Sequence, residues 1–283
     1  MYIITHRGLD PSQKSYFKES SFEAFCDHLS RGFGLEFDLQ FTKDNKIVIS
    51  HEDTLKKISS GEDERRFEDL TLEEIVTMSF EDSHITSFEK LLEIIGEKQS
   101  PNTLSAIHLK HKNQTIEKLE IILSYLKEVD TSKYKLFDVT IEAAKYLKEK
   151  HSSIQLAPSV SHPFDIERYN DAVGGTLTTL EKAIENNKIF SWVWLDEWDL
   201  IDANNKIKKL YTEEVFEIIR SHGMKIALVT PELHATSPGL LGGESHQDAE
   251  TREKLFARIQ EILELKPDAV CTDYPDAIKN FIQ

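Results

Sequence analysis

Short β-type runs recur along this chain at intervals that leave room for a helix between neighbours. They fall at residues 2–6, 34–40, 104–109, 135–140, 154–158, 190–195, 225–229 and 268–272. Helical patterns follow most of them. Phe22, Phe25, Cys26 and Leu29 fall at helical spacing before Gly32, and Phe88, Leu91, Leu92 and Ile95 do so before a stop at Gly96. Ile116, Leu119, Ile122, Leu123 and Leu126 form a third stripe, and further helical runs lie near 141–150, 178–187, 212–222 and 251–264. Ser20-Ser21-Phe22-Glu23 carries a capping-box signal, and Thr71-Leu72-Glu73-Glu74 and Thr86-Ser87-Phe88-Glu89 read as helix starts. Strands separated by helices are parallel, because a parallel pair needs a crossover rather than a tight turn. The rhythm is that of an α/β chain folded as a (β/α)8 TIM barrel, read as one domain over residues 1–283. A doubly wound open sheet shares the periodicity and stays the alternative.

One stretch breaks the alternation. Residues 34–53, GLEFDLQFTKDNKIVISHED, read as two strands around Asp44-Asn45, so that a β-hairpin arm leaves the barrel after its second strand. If Asp44 and Asn45 are the two turn residues, Asp38 lies opposite His51. Glu36 shares the face of Asp38, since side chains alternate along a strand. Two carboxylates and an imidazole converge there, which is the nucleus of a metal-assisted acid/base site.

Composition limits what such a site can serve. A net charge of −16 disfavours nucleic acid and anionic membrane surfaces, because no excess of Lys and Arg exists to neutralise phosphates. A small anionic substrate stays open if a cation and a few local basic residues receive it. Hydrophobic content of 39 % with 15 Phe suffices for a sizeable core. Cys26 and Cys271 fall in a helix and a strand pattern and read as core residues rather than a disulfide. No apolar run approaches the length of a membrane span, and MYIITHRG enters a strand with no leader pattern. A cytoplasmic location is expected, although a chain trimmed of its leader has the same appearance.

A barrel also predicts place, because active sites sit where strands end at the C-terminal face. His6-Arg7 ends the first strand, Asp38 lies late in the second, His108 to Lys110 end the third, Thr230 ends the seventh and Thr272-Asp273 the eighth. His6 and His51 are the candidate proton carriers, since imidazole titrates near neutral pH. Glu36 and Asp38 offer hard oxygen ligands at i and i+2; an isolated pair of this kind is equally a solvated strand face. Arg7 and Lys110 are candidate phosphate contacts, with salt bridges to nearby acids as the plainer reading and Glu19 placed to orient Arg7.

His6-Arg7-Gly8, Glu19-Ser20-Ser21-Phe22-Glu23-Ala24-Phe25, Gly34-Leu35-Glu36-Phe37-Asp38, Thr42-Lys43-Asp44-Asn45, His51-Glu52-Asp53-Thr54-Leu55 and Thr272-Asp273-Tyr274-Pro275 together resemble the glycerophosphodiester phosphodiesterase family. The order and spacing fit over essentially the whole chain. The resemblance implies a TIM barrel, a divalent cation (Mg²⁺ or Ca²⁺) and hydrolysis of a small glycerophosphodiester to glycerol 3-phosphate and an alcohol. By position it implies His6 and His51 as acid/base pair, Glu36 and Asp38 as metal ligands, and Arg7 and Lys110 on phosphate.

The chain also departs from the pattern. The family carries E-x-K on its third strand, where this chain has His108-Leu109-Lys110. His108 as third ligand brings no negative charge, which favours Mn²⁺ or Zn²⁺ over a hard cation. Val229-Thr230 stands where the family tends to carry W-T, and Trp192 or Trp194 on the sixth strand could supply an aromatic wall or simply pack in the core. The family's substrate-covering insertion is short here, while residues 231–250, PELHATSPGLLGGESHQDAE, form a long loop read as a lid, with Glu232, His234 and His246 as further contacts. A phospholipase-D-like enzyme acting on lysophospholipids or sphingolipids is a second reading, with Leu240-Leu241 as a weak hint of an acyl trough. A non-catalytic barrel that binds a phosphorylated ligand is a third. Nothing in the sequence reports the oligomeric state.

Overall fold

The computed structural model describes residues 1–13, 16–202, 204, 206–233 and 246–283. Its strands are β1 (Tyr2–His6), β2 (Gly34–Phe41), β3 (Ile47–Ile49), β4 (Ser105–His108), β5 (Tyr134–Phe137), β6 (Ser159–Val160), β7 (Trp192–Leu195), β8 (Lys225–Val229) and β9 (Ala269–Thr272). Eight of them run parallel in the order β5-β4-β2-β1-β9-β8-β7-β6, and β3 pairs antiparallel with β2 off that path. The ring closes between β5 and the residues just ahead of β6. There the Leu136 N–H donates to the Gln155 carbonyl at 3.0 Å, and the Ala157 N–H donates to the Leu136 carbonyl at 2.9 Å. The run expected at 154–158 therefore forms the seam, but regular strand begins only at Ser159, since Pro158 has no N–H to extend a ladder.

The helices are α1 (Phe22–Ser30), α2 (Leu72–Val76), α3 (Phe88–Lys98), α4 (Ile116–Leu126), α5 (Ile141–Lys150), α6 (Pro163–Tyr169), α7 (Leu180–Glu185), α8 (Glu213–Ser221), α9 (Arg252–Glu264) and α10 (Pro275–Phe281). Ser21, Ser87, Thr115, Thr140, Thr179, Thr212 and Thr251 each accept a hydrogen bond from an amide of the helix they precede. Each such cap is worth about 1 kcal/mol. At α1 the expected capping box does not form: Glu23 reaches across to the backbone N–H of His84 at 2.9 Å instead. Gly96 does not end α3, which runs on to Lys98.

Two apolar layers divide the strand residues by alternation. Leu35, Phe37, Leu39, Ile107, Leu136, Val193, Ile226 and Val270 face outward into the helix layer. Ile4, Ala106, Phe137, Ala157, Trp192, Trp194, Ala227 and Cys271 fill the barrel interior. Cys26 and Cys271 are both free thiols, as expected.

The hairpin forms one register away from expectation. Leu39, Gln40 and Phe41 pair with Ile49, Val48 and Ile47. The loop has three residues rather than two: the Thr42 N–H donates to the Lys46 carbonyl at 2.9 Å, and the Asn45 N–H to the Thr42 carbonyl at 3.0 Å. Asn45 takes a left-handed φ of 55°, which closes a three-residue hairpin. Ser50, not His51, is then next to Asp38, with the Ser50 N–H donating to the Asp38 carbonyl at 3.2 Å. His51 sits one residue further out, in the loop above the barrel mouth.

β2 and β4 approach closely because of Gly34. A Cβ there would fall 1.9 Å from the Leu104 carbonyl oxygen. Gly34→Ala is expected to cost about 2–3 kcal/mol by overpacking. Thermal unfolding checks this: a midpoint equal to wild type would contradict the packing described.

Candidate active site

Parallel register brings the polar strand ends together at the C-terminal mouth of the barrel. His6 lies level with Glu36 across β1 and β2, and Asp38 lies level with His108 across β2 and β4. Side chains of Glu36, Asp38 and His108 each offer a ligand atom within 4.8 Å of the others. Among the described residues Glu36 Oε2 has no hydrogen-bond partner, although it is buried. Two carboxylates and an imidazole with a bare, buried carboxylate oxygen form a donor set that suits a divalent cation.

Asp38 is fully buried. Its Oδ1 lies 2.8 Å from His108 Nδ1 and 3.3 Å from Lys110 Nζ, and its Oδ2 lies 3.5 Å from Arg7 Nε. Burial opposes its ionisation, but Lys110, His51 and His108 outweigh that and hold its carboxyl well below the usual range. Glu36 has the opposite fate: burial and the Asp38 charge push its carboxyl up to about 8. His108 lies between two acids, Asp38 on Nδ1 and Asp138 Oδ2 at 3.2 Å from Nε2. Burial disfavours its charged form, but the hydrogen bonds to Asp138 and Asp38 prevail and raise it to about 9. A cation entering this group would displace protons from Glu36 and His108, so binding weakens as pH falls.

The imidazoles expected to carry protons both line the same cleft, of about 480 Å³. His6 is nearly buried, and its Nδ1 lies 2.9 Å from Asp273 Oδ1. Burial and the Arg7 charge hold its pKa well below the ordinary imidazole value. His51 is more open, with Nδ1 3.0 Å from Glu52 Oε1. Burial lowers its pKa too, Asp38 and Glu52 notwithstanding. The His51 loop is pinned by Gln40, whose Nε2 donates to the His51 carbonyl at 3.0 Å, and by Lys110 on the same carbonyl. Arg7 and Lys110 line the cleft as expected, and Glu19 lies 4.0 Å from Arg7.

Part of the cleft wall is apolar. Phe137 stacks on His108 with ring centroids 4.7 Å apart, and Trp194 stacks on Phe137 at 3.9 Å. Val173, Leu177, Trp198 and Leu233 continue this wall. Trp194 thus supplies the aromatic surface missing at Val229. Trp192 does not line the cleft and packs against Tyr2 in the barrel interior.

Most of the long loop after β8, and with it the lid expected there, lies outside the described residues. His234 and Leu240-Leu241 lie outside the described residues. Glu232 is buried beneath the site rather than facing the cleft. Its Oε1 accepts from the Thr230 hydroxyl at 2.6 Å, the Thr272 hydroxyl at 2.7 Å and the Asp273 N–H at 3.0 Å, which fixes the segment bearing Asp273. His246 is buried too, with Nε2 3.6 Å from Glu197 and Nδ1 accepting from the Asp248 N–H. Both are supports rather than extra contacts. Of the acids that hold His6, His108 and His51, Asp273 and Glu52 stood in the sequence motifs without a role, and Asp138 was not singled out. Asp273 was the most accessible of them, since Thr272-Asp273 ends the last strand.

Comparison with known proteins agrees with this geometry. Residues 6–277 match the model of the glycerophosphoryl diester phosphodiesterase family. A glycerophosphodiester phosphodiesterase of Caldanaerobacter subterraneus subsp. tengcongensis is 30 % identical over 105 residues, a match that spans 34 % of this chain and 41 % of that protein. Among solved structures, a glycerophosphoryl diester phosphodiesterase from Parabacteroides distasonis is 20 % identical with a TM-score of 0.64, covering 99 % of this chain and 85 % of that one. An Oleispira antarctica phosphodiesterase, solved in complex with the product sn-glycerol-3-phosphate, is 14 % identical with a TM-score of 0.65, covering 100 % of this chain and 96 % of that one. The structural likenesses establish the fold, a TIM barrel, and the match over nearly the whole chain establishes kinship: the protein belongs to the glycerophosphoryl diester phosphodiesterase family.

Proposed function

We propose that this chain hydrolyses glycerophosphodiesters to glycerol 3-phosphate and an alcohol, using a divalent cation held by Glu36, Asp38 and His108. The observation that carries this reading is the convergence of His6, Arg7, His51 and Lys110 on one cleft beside that donor group. The relative from Oleispira, solved with glycerol 3-phosphate, is consistent with it.

When bound, the cation would neutralise charge on the phosphodiester and polarise phosphorus towards attack. Arg7 and Lys110 then hold the non-bridging oxygens from the protein side. His6 acts as the base. Asp273 fixes its Nδ1, so Nε2 is the nitrogen free to take a proton from the attacking oxygen. His51, more open and paired with Glu52, protonates the departing alkoxide, and the charge of an arriving phosphodiester favours its protonated form. Both a neighbouring glycerol hydroxyl and water are compatible with this geometry as the attacking group. The apolar wall of Phe137, Trp194, Trp198 and Leu177 supports a second reading, in which the cleft accepts a lysophospholipid with its acyl chain along that wall.

Each part of this assignment has an expected outcome. Wild type releases glycerol 3-phosphate and choline from glycerophosphocholine, chelator stops the release, and choline release from it exceeds choline release from lysophosphatidylcholine; the reverse preference would favour the second reading. Loss of either imidazole slows glycerophosphocholine turnover by about 10²–10⁴-fold. A p-nitrophenyl diester separates the two roles, because its leaving group needs no proton: His51→Ala recovers on it and His6→Ala does not, and the inverse pattern would exchange the assignments. The acid limb of the kcat/KM profile lies below pH 6.5, the ordinary imidazole value, because burial depresses both rings and the base must be neutral. With the cation kept saturating at every pH, an acid limb above 6.5 counts against His6 as base. For the cation, His108→Glu shifts the preferred metal from Mn²⁺ or Zn²⁺ towards Mg²⁺ or Ca²⁺, and an unchanged metal profile would remove His108 from the ligand set.

A further inference from the structure

We infer that Asp138 is a positioning residue for the cation: it holds the Nε2–H of His108, so that Nδ1 is the ligating nitrogen, and it lends the imidazole the negative charge the ring itself lacks. The inference rests on the reading of Glu36, Asp38 and His108 as metal ligands.

The two nitrogens of an imidazole point in widely different directions, and here they have different partners. Nδ1 faces Asp38 at 2.8 Å, inside the donor group, while Nε2 faces Asp138 Oδ2 at 3.2 Å, outside it. Asp138 therefore stands behind the ring rather than competing for the same ion. A carboxylate that accepts from the far nitrogen of a ligating histidine fixes its tautomer and strengthens it as a donor. It also returns, at one remove, a charge that a neutral ring cannot supply to a divalent ion.

The chain holds Asp138 for this task at some backbone cost. Its φ is +64°, a left-handed conformation uncommon for a residue other than glycine, though Asp and Asn tolerate it best. Gln114 clamps that conformation. Its Nε2 donates to the Asp138 carbonyl at 2.8 Å, and its Oε1 accepts from the Thr140 N–H at 2.9 Å. Phe137, the preceding residue, stacks on His108 within 16° of parallel, so one strand end sets both the plane of the ring and its hydrogen bond.

The test is Mn²⁺ titration by calorimetry into chelator-stripped protein, for wild type, Asp138→Asn, His108→Glu and the double variant. Asn accepts the left-handed backbone and removes only the charge, so the fold survives the change. Asp138→Asn is expected to weaken Mn²⁺ binding about 10–100-fold in the wild-type background. In the His108→Glu background, where a carboxylate brings its own charge, the same change is expected to leave affinity within about threefold or to improve it. This background dependence is what a purely structural role would not produce. Unchanged affinity for Asp138→Asn, or an equal loss in both backgrounds, overturns the inference while leaving the metal reading in place. Failure of wild type to bind Mn²⁺ overturns the metal reading and the inference together.

Discussion

The whole mouth of this barrel depends on one buried carboxylate. Asp38 sits within β2 with no exposure to water, and a lone ion there would be strongly disfavoured. It persists as an anion because His108 and Lys110, from the end of β4, and Arg7, from the end of β1, all reach it. Those contacts do two things at once. They stabilise the charge, and they place an imidazole, an ammonium and a guanidinium around a common point facing the cleft. Glu36, two residues earlier and on the same face, has no such retinue, and its carboxyl rises to about 8. The site thus holds one ionised acid beside one whose proton a cation, on the proposed reading, would displace.

Around that centre the protein uses acids to aim bases. Asp273 holds His6, Glu52 holds His51 and Asp138 holds His108. Behind Asp273 stands Glu232, which gathers two threonine hydroxyls and a backbone N–H under the end of β9. Burial raises the Glu232 carboxyl, with help from the Asp273 charge, to about 7. A chain with a net charge of −16 can still present a cleft fit for an anion, because much of its acid content near the mouth is spent holding cationic or protonatable groups in place.

What could be read from the sequence follows from the range of the interactions involved. Glu36 and Asp38 were legible because strand alternation fixes which residues share a face without reference to the rest of the fold. The barrel was legible from the repeat of strand and helix patterns. The hairpin register was not, because a two-residue and a three-residue loop differ only in the backbone of Asn45, and that difference moves His51 by one place. The strand expected at 154–158 becomes regular only at Ser159, since hydrophobicity there does not reveal that Pro158 cannot donate. Asp138 was missed because it acts on His108, 30 residues away, and neither spacing nor periodicity encodes which strands become neighbours. Glu232 was named, but its role as a support under β9 depends on the same long-range pairing.

The closure of the ring bears on how steady this site is. Between β5 and the residues ahead of β6 the barrel is joined by a few main-chain hydrogen bonds, and one of them, from the Val139 N–H to the Ala157 carbonyl at 3.3 Å, adjoins Asp138. A barrel breathes most readily where its staves are least firmly joined. Here that joint carries Asp138, so local opening of the seam would loosen the hydrogen bond that orients His108.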